Sequence, residues 1–323
     1  MRRGRGRTAA AIGAVAGLLA VPLVVTDSYT LNTLILIFYY AYLGQAWNLL
    51  GGYAGQLSLG HSAYFGVGAY ASTLLFTIAG LTPWLGMWVG AAVAALLAVG
   101  IGLLGFRFGL RGVYFALTTL AFNEILRVLV LHWDLAGGAV GVFLPFRGDA
   151  PALFQFRGRV PFYYISLAMM VLATALVAWI SRSPLGWRLK AVRDDEEAAR
   201  AVGVDATRAK LAAITLSGAM TALGGTFYAQ YYLNIHPSVV FSTPLSIEIL
   251  LRAYVGGAGT VFGPIVGAAI LTPLGEMSRS AFAKGGLEGL HLVVYGALLI
   301  VTVLFFPRGL VDGVARAWRK LVS

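Results

Sequence analysis

The stretch WLGMWVGAAVAALLAVGIGLLG, residues 84–105, runs for its whole length without a charged side chain. A helix needs about 20 apolar residues to cross the hydrocarbon of a bilayer, and this run supplies them. Working outward, comparable runs occupy 9–26, 30–50, 57–79, 113–132, 161–181, 208–232 and 289–306. Residues 246–275 are also apolar but are interrupted by Gly256-Gly257-Ala258-Gly259-Thr260. Composition agrees: 59% of the 323 residues are hydrophobic, only 11% are charged, and the mean hydropathy is +0.81. A soluble domain carries roughly 25% charged residues, so lipid is the solvent this chain is built for. The expected fold is an all-α polytopic membrane protein, one domain over residues 1–323, with about 8–10 transmembrane helices.

The net charge of +11 could suggest nucleic acid, but the basic residues lie in short loops between apolar runs. That is the positive-inside pattern of a membrane protein, and no nucleic-acid partner is expected. Arg2, Arg3, Arg5 and Arg7 hold the N-terminus in the cytoplasm, and the Asp27-Ser28-Tyr29 that follows the first run argues against a cleaved signal. Counting crossings places Arg107, Arg111 and the stretch 182–210 on the same side. One full crossing at 246–275 would put Arg308, Arg316, Arg319 and Lys320 outside. A re-entrant pair of half-helices, broken at the glycines, leaves them inside, so both termini are expected in the cytoplasm.

Chemistry within the chain is sparse. There is no cysteine, which excludes disulfides and thiolate metal sites. The four histidines, His61, His132, His236 and His291, are scattered and form no metal-binding motif. None of the four lysines follows a glycine, so the phosphate-cradling Gly-Lys-Ser/Thr loop is missing. The chain is read as a non-enzyme without cofactor of its own; ATP, if used, is bound by other subunits. Glu124 and Glu248 are the only acids inside the proposed spans, few for an ion-coupled secondary transporter, which stays as an alternative. Both have an arginine in helical register, Arg127 at i+3 and Arg252 at i+4, and read as self-neutralising pairs.

The charged exception is the segment 182–207. Pro184 suits the first turn of one helix, Asp194 to Glu197 the start of a second, and Gly203 its end. Two short helices bearing both signs make a rigid docking surface. Gly52-Tyr53-Ala54-Gly55 and Gly256-Gly257-Ala258-Gly259 look alike, as an internal repeat around a transport path or as two separate close helix contacts. Residues 55–68 read as a helix with a small-residue face, on which Ser58 and Ser62 fall together at i,i+4.

Glu197-Ala198-Ala199 followed by Gly203 resembles the EAA loop by which ABC importer permeases dock onto their ATPase. The pattern then departs, with Ile214-x-Leu216 one residue late and Ser217 where proline is expected. The run Gly52 to Tyr70, the run Gly256 to Ala268, and Phe306-Pro307-Arg308-Gly309-Leu310 resemble, in order and spacing, the branched-chain amino acid ABC permeases of the LivH/LivM type. The resemblance implies a permease subunit in a bacterial inner membrane, importing branched-chain or related amino acids; urea or amides are the alternative within the family. It implies as partners a second permease subunit, two ATP-binding subunits and a periplasmic or extracellular solute-binding protein. It makes Glu196, Glu197, Ala198, Ala199 and Gly203 the ATPase-coupling residues. Gln56, Ser58, His61, Ser62, Glu248, Gly256, Gly257 and Gly259 are candidates for the solute path, with hydrogen bonding between helices as the competing role for the polar ones.

Overall fold

A computed structural model describes residues 13, 16–25, 27–283, 293, 296 and 297, with backbone only for 278–283. Apart from residues 293, 296 and 297, the expected span at 289–306 lies outside the described residues, as do both terminal arginine clusters. Helix α1 (Ser28–Asn48) is started by Asp27, whose carboxylate accepts from the Thr30 amide at 2.8 Å, and it widens into a π turn at Leu49–Tyr53. Then come α2 (His61–Ala79), α3 (Pro83–Arg107), α4 (Val113–Leu131), α5 (Arg159–Arg182), α6 (Pro184–Asp194), α7 (Glu196–Ala201), α8 (Ala206–Tyr232), α9 (Pro237–Val240), α10 (Thr243–Gly257) and α11 (Gly263–Ala283). Among the described residues, seven stretches are long and apolar enough to cross a membrane: α1 with its π turn, α2, α3, α4, α5, α8, and α9 with α10. The one sheet is a two-residue antiparallel ladder, Val142–Phe143 (β1) against Asn234–Ile235 (β2), joining two loops.

Helix α8 packs against α2 and α3, while α1 packs against α5, α10 and α11. Glycine sets the closeness of the first group. A Cβ added at Gly68 would lie 2.1 Å from the Ala222 carbonyl oxygen, and one at Gly225 would lie 2.0 Å from that of Phe65. Only hydrogen at these positions lets the backbones touch, the usual means of tightening helices that lipid does not drive together. The outward faces of α3 and α5 carry Trp88, Leu96, Leu172 and Trp179, apolar groups suited to lipid.

Two expectations change in detail. The helix expected from residue 55 begins at His61, and 54–60 is not helical. Gly55 has φ +67°. The segment's amides and carbonyls find partners elsewhere: Gln56 N–H donates to Leu50 O at 3.0 Å, Trp47 Nε1–H to Ser58 O at 3.0 Å, and Leu59 N–H to Thr119 Oγ1 at 3.1 Å. Irregular backbone is tolerated at depth because protein satisfies it. Ser58 and Ser62 therefore do not share a helix face.

The break in 246–275 is present, and the chain turns there. Helices α10 and α11 run back along each other, joined by 258–262, with the turn held against α1. Asn48 accepts from Gly259 N–H at 2.7 Å and donates Nδ2–H to Thr260 O at 2.8 Å. Gly52 sits at the same place, its carbonyl accepting from Arg193 Nη1 at 3.2 Å. The two similar glycine motifs thus meet, beside α6.

Candidate functional site

The charged segment folds as two short helices, and the side-chain caps explain where each starts. Ser183 accepts from the Gly186 amide at 3.3 Å to open α6. Asp195 accepts from the amides of Glu197 and Ala198 at 2.9 and 3.0 Å to open α7. Such caps replace the intrahelical partners that the first amides lack. Gly203 ends the unit with φ +87°.

The residues expected to couple to an ATPase divide by exposure. Glu197, Ala198 and Gly203 face outward with Trp187, Arg188 and Val202, whereas Glu196 and Ala199 are buried. Glu196 points inward to Lys210, a lysine with no solvent exposure; Nζ and Oε1 are 2.8 Å apart. Arg200 reaches the same oxygen at 2.8 Å, and Arg111, from the α3–α4 loop, reaches the other at 3.3 Å. Glu196 is therefore the pin that fastens α7 to α8 and to the α3–α4 loop, not part of the outward surface. Burial by itself would raise its pKa, but the hydrogen bond and charge of Lys210, with Arg111 and Arg200, prevail and hold the carboxyl below its ordinary range. Beside α7 a cleft of about 440 Å³ is lined by Leu185, Arg188, Val202, Gly203, Asp205 and Arg208, among others.

The candidate path residues fall into four places. His61, Ser58 and Ser62 belong to a buried polar seam. His61 is hydrogen-bonded through Nδ1 to Ser58 Oγ at 3.0 Å and through Nε2 to Ser217 Oγ at 2.8 Å. Ser62 Oγ lies 2.8 Å from Ser246 Oγ and donates to Asn123 Oδ1 at 2.9 Å, and Asn123 donates to Phe241 O at 2.8 Å. The seam ties α2 to α4, α8 and α10. Gln56 sits in the irregular segment 54–60 and donates to Ala54 O at 3.2 Å. Glu248 pairs with Arg252 at 3.3 Å; the Arg252 guanidinium lies 3.5 Å from the Tyr40 ring centroid and donates to Thr272 Oγ1 at 3.3 Å. Gly256, Gly257 and Gly259 form the turn region at Asn48 and Arg193. All eight are buried within the protomer except the half-buried Gly259.

Sequence reasoning missed three residues. Lys210 counted only as a topology charge, although its place inside a proposed span was a signal. The pair Glu124–Arg127 was read as merely self-neutralising. It lies on the open face of α4, with side chains 50% and 29% exposed.

A bundle of this kind, with seven candidate spans among the described residues and a charged helical unit clamped on one face, is a multi-pass membrane protein. The profile of the family described as branched-chain amino acid transport system, permease component, matches residues 29–303. The chain is 31% identical over 306 residues to the LivM permease protein of Escherichia coli K12, covering 87% of this chain and 69% of that protein. It is 25% identical over 288 residues to LivH of the same organism, covering 84% of this chain and 90% of that protein. A nucleoside ABC transporter permease of Lactococcus lactis is 25% identical over 304 residues, covering 80% of this chain and 87% of that protein. No solved structure matches. The chain belongs to the family of branched-chain amino acid transport permease components.

Proposed function

We propose that this chain forms half of the membrane path of an ABC importer for branched-chain or related amino acids, together with a second, LivH-like permease subunit. A solute-binding protein delivers the solute at the face opposite α6 and α7. Two separate ATP-binding subunits drive the switch in access. The α6–α7 face and both termini are cytoplasmic, in keeping with the arginines and lysines gathered at 182–210. The chain lacks an ATP-binding loop of its own, and purified alone it is expected to hydrolyse no ATP; turnover by a preparation free of other subunits would overturn this.

The observation that carries the docking part is the build of α6 and α7: a charged, capped pair of helices, anchored from beneath by Glu196 and presenting Glu197, Ala198, Val202 and Gly203. The cleft beside Gly203 gives an ATPase side chain somewhere to seat. ATP-driven closure of the ATPase pair would push on this unit, and Glu196 would pass the displacement to α8.

Gly203 allows a clean test, because nothing lies within 4 Å of a Cβ built there. Gly203→Ala and Gly203→Trp share the left-handed backbone penalty, about 1 kcal/mol, and neither meets a neighbour at its Cβ. Gly203→Ala should keep the ATPase through purification. Gly203→Trp and Glu197→Lys should lose it, or hydrolyse ATP without transport, while Arg182→Ala at the membrane edge should do little. Wild-type transport with the ATPase bound in both Gly203→Trp and Glu197→Lys would rule out this docking face.

A further inference from the structure

Among the described residues of the seven candidate spans, one ion pair lies in the interior of a span and is open to the outside of the protomer. It is Glu124 with Arg127, on α4. Both oxygens of Glu124 accept from Arg127 Nε, at 3.1 and 2.9 Å, and Nη2 also donates to it. Arg252 and Glu248 are buried by contrast, and the charges of α3 and α5 stand at the helix ends. Depth is fixed by the neighbouring residue: Asn123 binds Ser62 and Phe241 in the buried polar seam. Glu124 is also 11 residues past the first residue of α4, about 16 Å along the axis. The pair is therefore level with the middle of the bundle.

Charged groups at that depth do not face lipid; they face protein or a water-filled path. Along the same open face run Leu117, Ala121, Ile125 and Val128. The face is bracketed by Arg111 at the α6–α7 end and by His132 at the other, both exposed. The open faces of α3 and α5 carry no such series. If the α4 face were sealed in a dry protein interface, both charges would lose water for a bond they already have, a poor exchange. Facing a wet path they keep it. The pair also presents a carboxylate and a guanidinium side by side, the complement of a solute whose ammonium and carboxylate share one carbon. Arg127 Nη1 makes no bond to a described residue, so an edge of the guanidinium remains to receive a carboxylate.

We propose that the open face of α4 lines the aqueous solute path between the two permease subunits, with Glu124 and Arg127 as a station for zwitterionic amino acids. The proposal rests on the importer reading above and adds to it where the path runs and what charge pattern it takes.

The natural absence of cysteine makes the test direct. Ala121→Cys, Val128→Cys and, as a lipid-facing control, Leu172→Cys are placed singly in the full transporter in vesicles and treated with a cationic methanethiosulfonate reagent. Labelling at 121 and 128 but not at 172, slowed by saturating leucine with its binding protein, is expected. No labelling at 121 and 128, or labelling that leucine leaves unchanged, overturns the proposal. In parallel, Arg127→Gln and Glu124→Gln should lower leucine uptake about tenfold, the value of one charged hydrogen bond, with ATP hydrolysis and subunit stoichiometry unchanged. Uptake at the wild-type rate in both would also overturn it. A wild-type complex that assembles and hydrolyses ATP but takes up no amino acid would instead count against the importer reading.

Discussion

Replacing Lys210 by methionine is expected to loosen the α6–α7 unit from the bundle and to uncouple the transporter. The lysine is wholly buried, and its removal leaves Glu196 with Arg200 and Arg111 only, whose side chains are 46% and 48% exposed. Stranding a buried charge outright costs 3–5 kcal/mol; with two partly solvated arginines still present, about 2–3 kcal/mol is expected here. Removing both charges, Glu196→Met with Lys210→Met, should restore most of the loss, because no buried charge is then left unpaired and the two arginines that lose Glu196 are about half exposed and keep their water. Thermal unfolding in detergent across this double-mutant cycle measures the coupling. A double variant no better than the single ones would show that the pair is not the anchor.

The same pair sets a pH dependence. The Glu196 carboxyl titrates below its ordinary range in the folded protein. A depressed carboxylate contributes stability that is complete above its unfolded pKa and is lost as pH falls through the lowered, folded value. The wild type should thus lose this contribution on acidification below about pH 4, the ordinary glutamate range. Glu196→Gln, lower at neutral pH, should lack that component of the acid loss. Parallel pH curves for the two would contradict the assignment.

The largest effect is expected at the α10–α11 hairpin. A Cβ at Gly267 would stand 1.8 Å from the Arg252 carbonyl oxygen, and one at Gly256 would stand 1.8 Å from that of Gly263. The obstacle is backbone, so no rotamer change relieves it. Overpacking usually costs 1–3 kcal/mol, and with backbone on both sides Gly267→Ala and Gly256→Ala should reach about 3 kcal/mol or more. The hairpin must then part or the chain fail to accumulate in the membrane. Gly100→Ala on α3 is the control: nothing lies within 4 Å of its Cβ, and alanine favours a helix over glycine by up to about 1 kcal/mol. Membrane yield and melting temperature compare the three. A Gly267→Ala protein as stable as wild type would mean that the two helices are not packed this way.

Lipid makes most of this fold readable. The requirement for about 20 apolar residues per crossing places 84–105, 113–132, 161–181 and 208–232 within two residues of α3, α4, α5 and α8. Local chemistry likewise announces α6 and α7, since Ser183-Pro184, Asp195 and Gly203 carry their own start and stop signals. What stays hidden depends on partners distant in the chain. Residues 55–60 have the small-residue pattern of a packed helix; Trp47 and Thr119, elsewhere in the sequence, help make an irregular path tolerable. Glu196 and Glu197 are adjacent and alike as letters, yet one is sealed against Lys210 and the other is 80% exposed on its side chain. The phase of a six-residue helix relative to α8 decides that, and no periodicity in so short a segment reports it. The weight of Glu124 and Arg127 was hidden for the converse reason: their spacing says that they pair, but not that the helix bearing them leaves that face uncovered.

The irregular run at 54–60 also binds the fates of positions that never touch one another in the chain. Its carbonyl at Ser58 depends on the indole of Trp47, and its amide at Leu59 depends on the hydroxyl of Thr119. These two side chains, from α1 and α4, supply the partners that the turns of a helix would otherwise give this backbone. A helix satisfies its own amides and so leaves its side chains at liberty to vary; this segment does not. Its short unwound length therefore restricts sequence drift on two helices at once, and a substitution at either position has to be answered by a new donor or acceptor rather than by a residue of similar size.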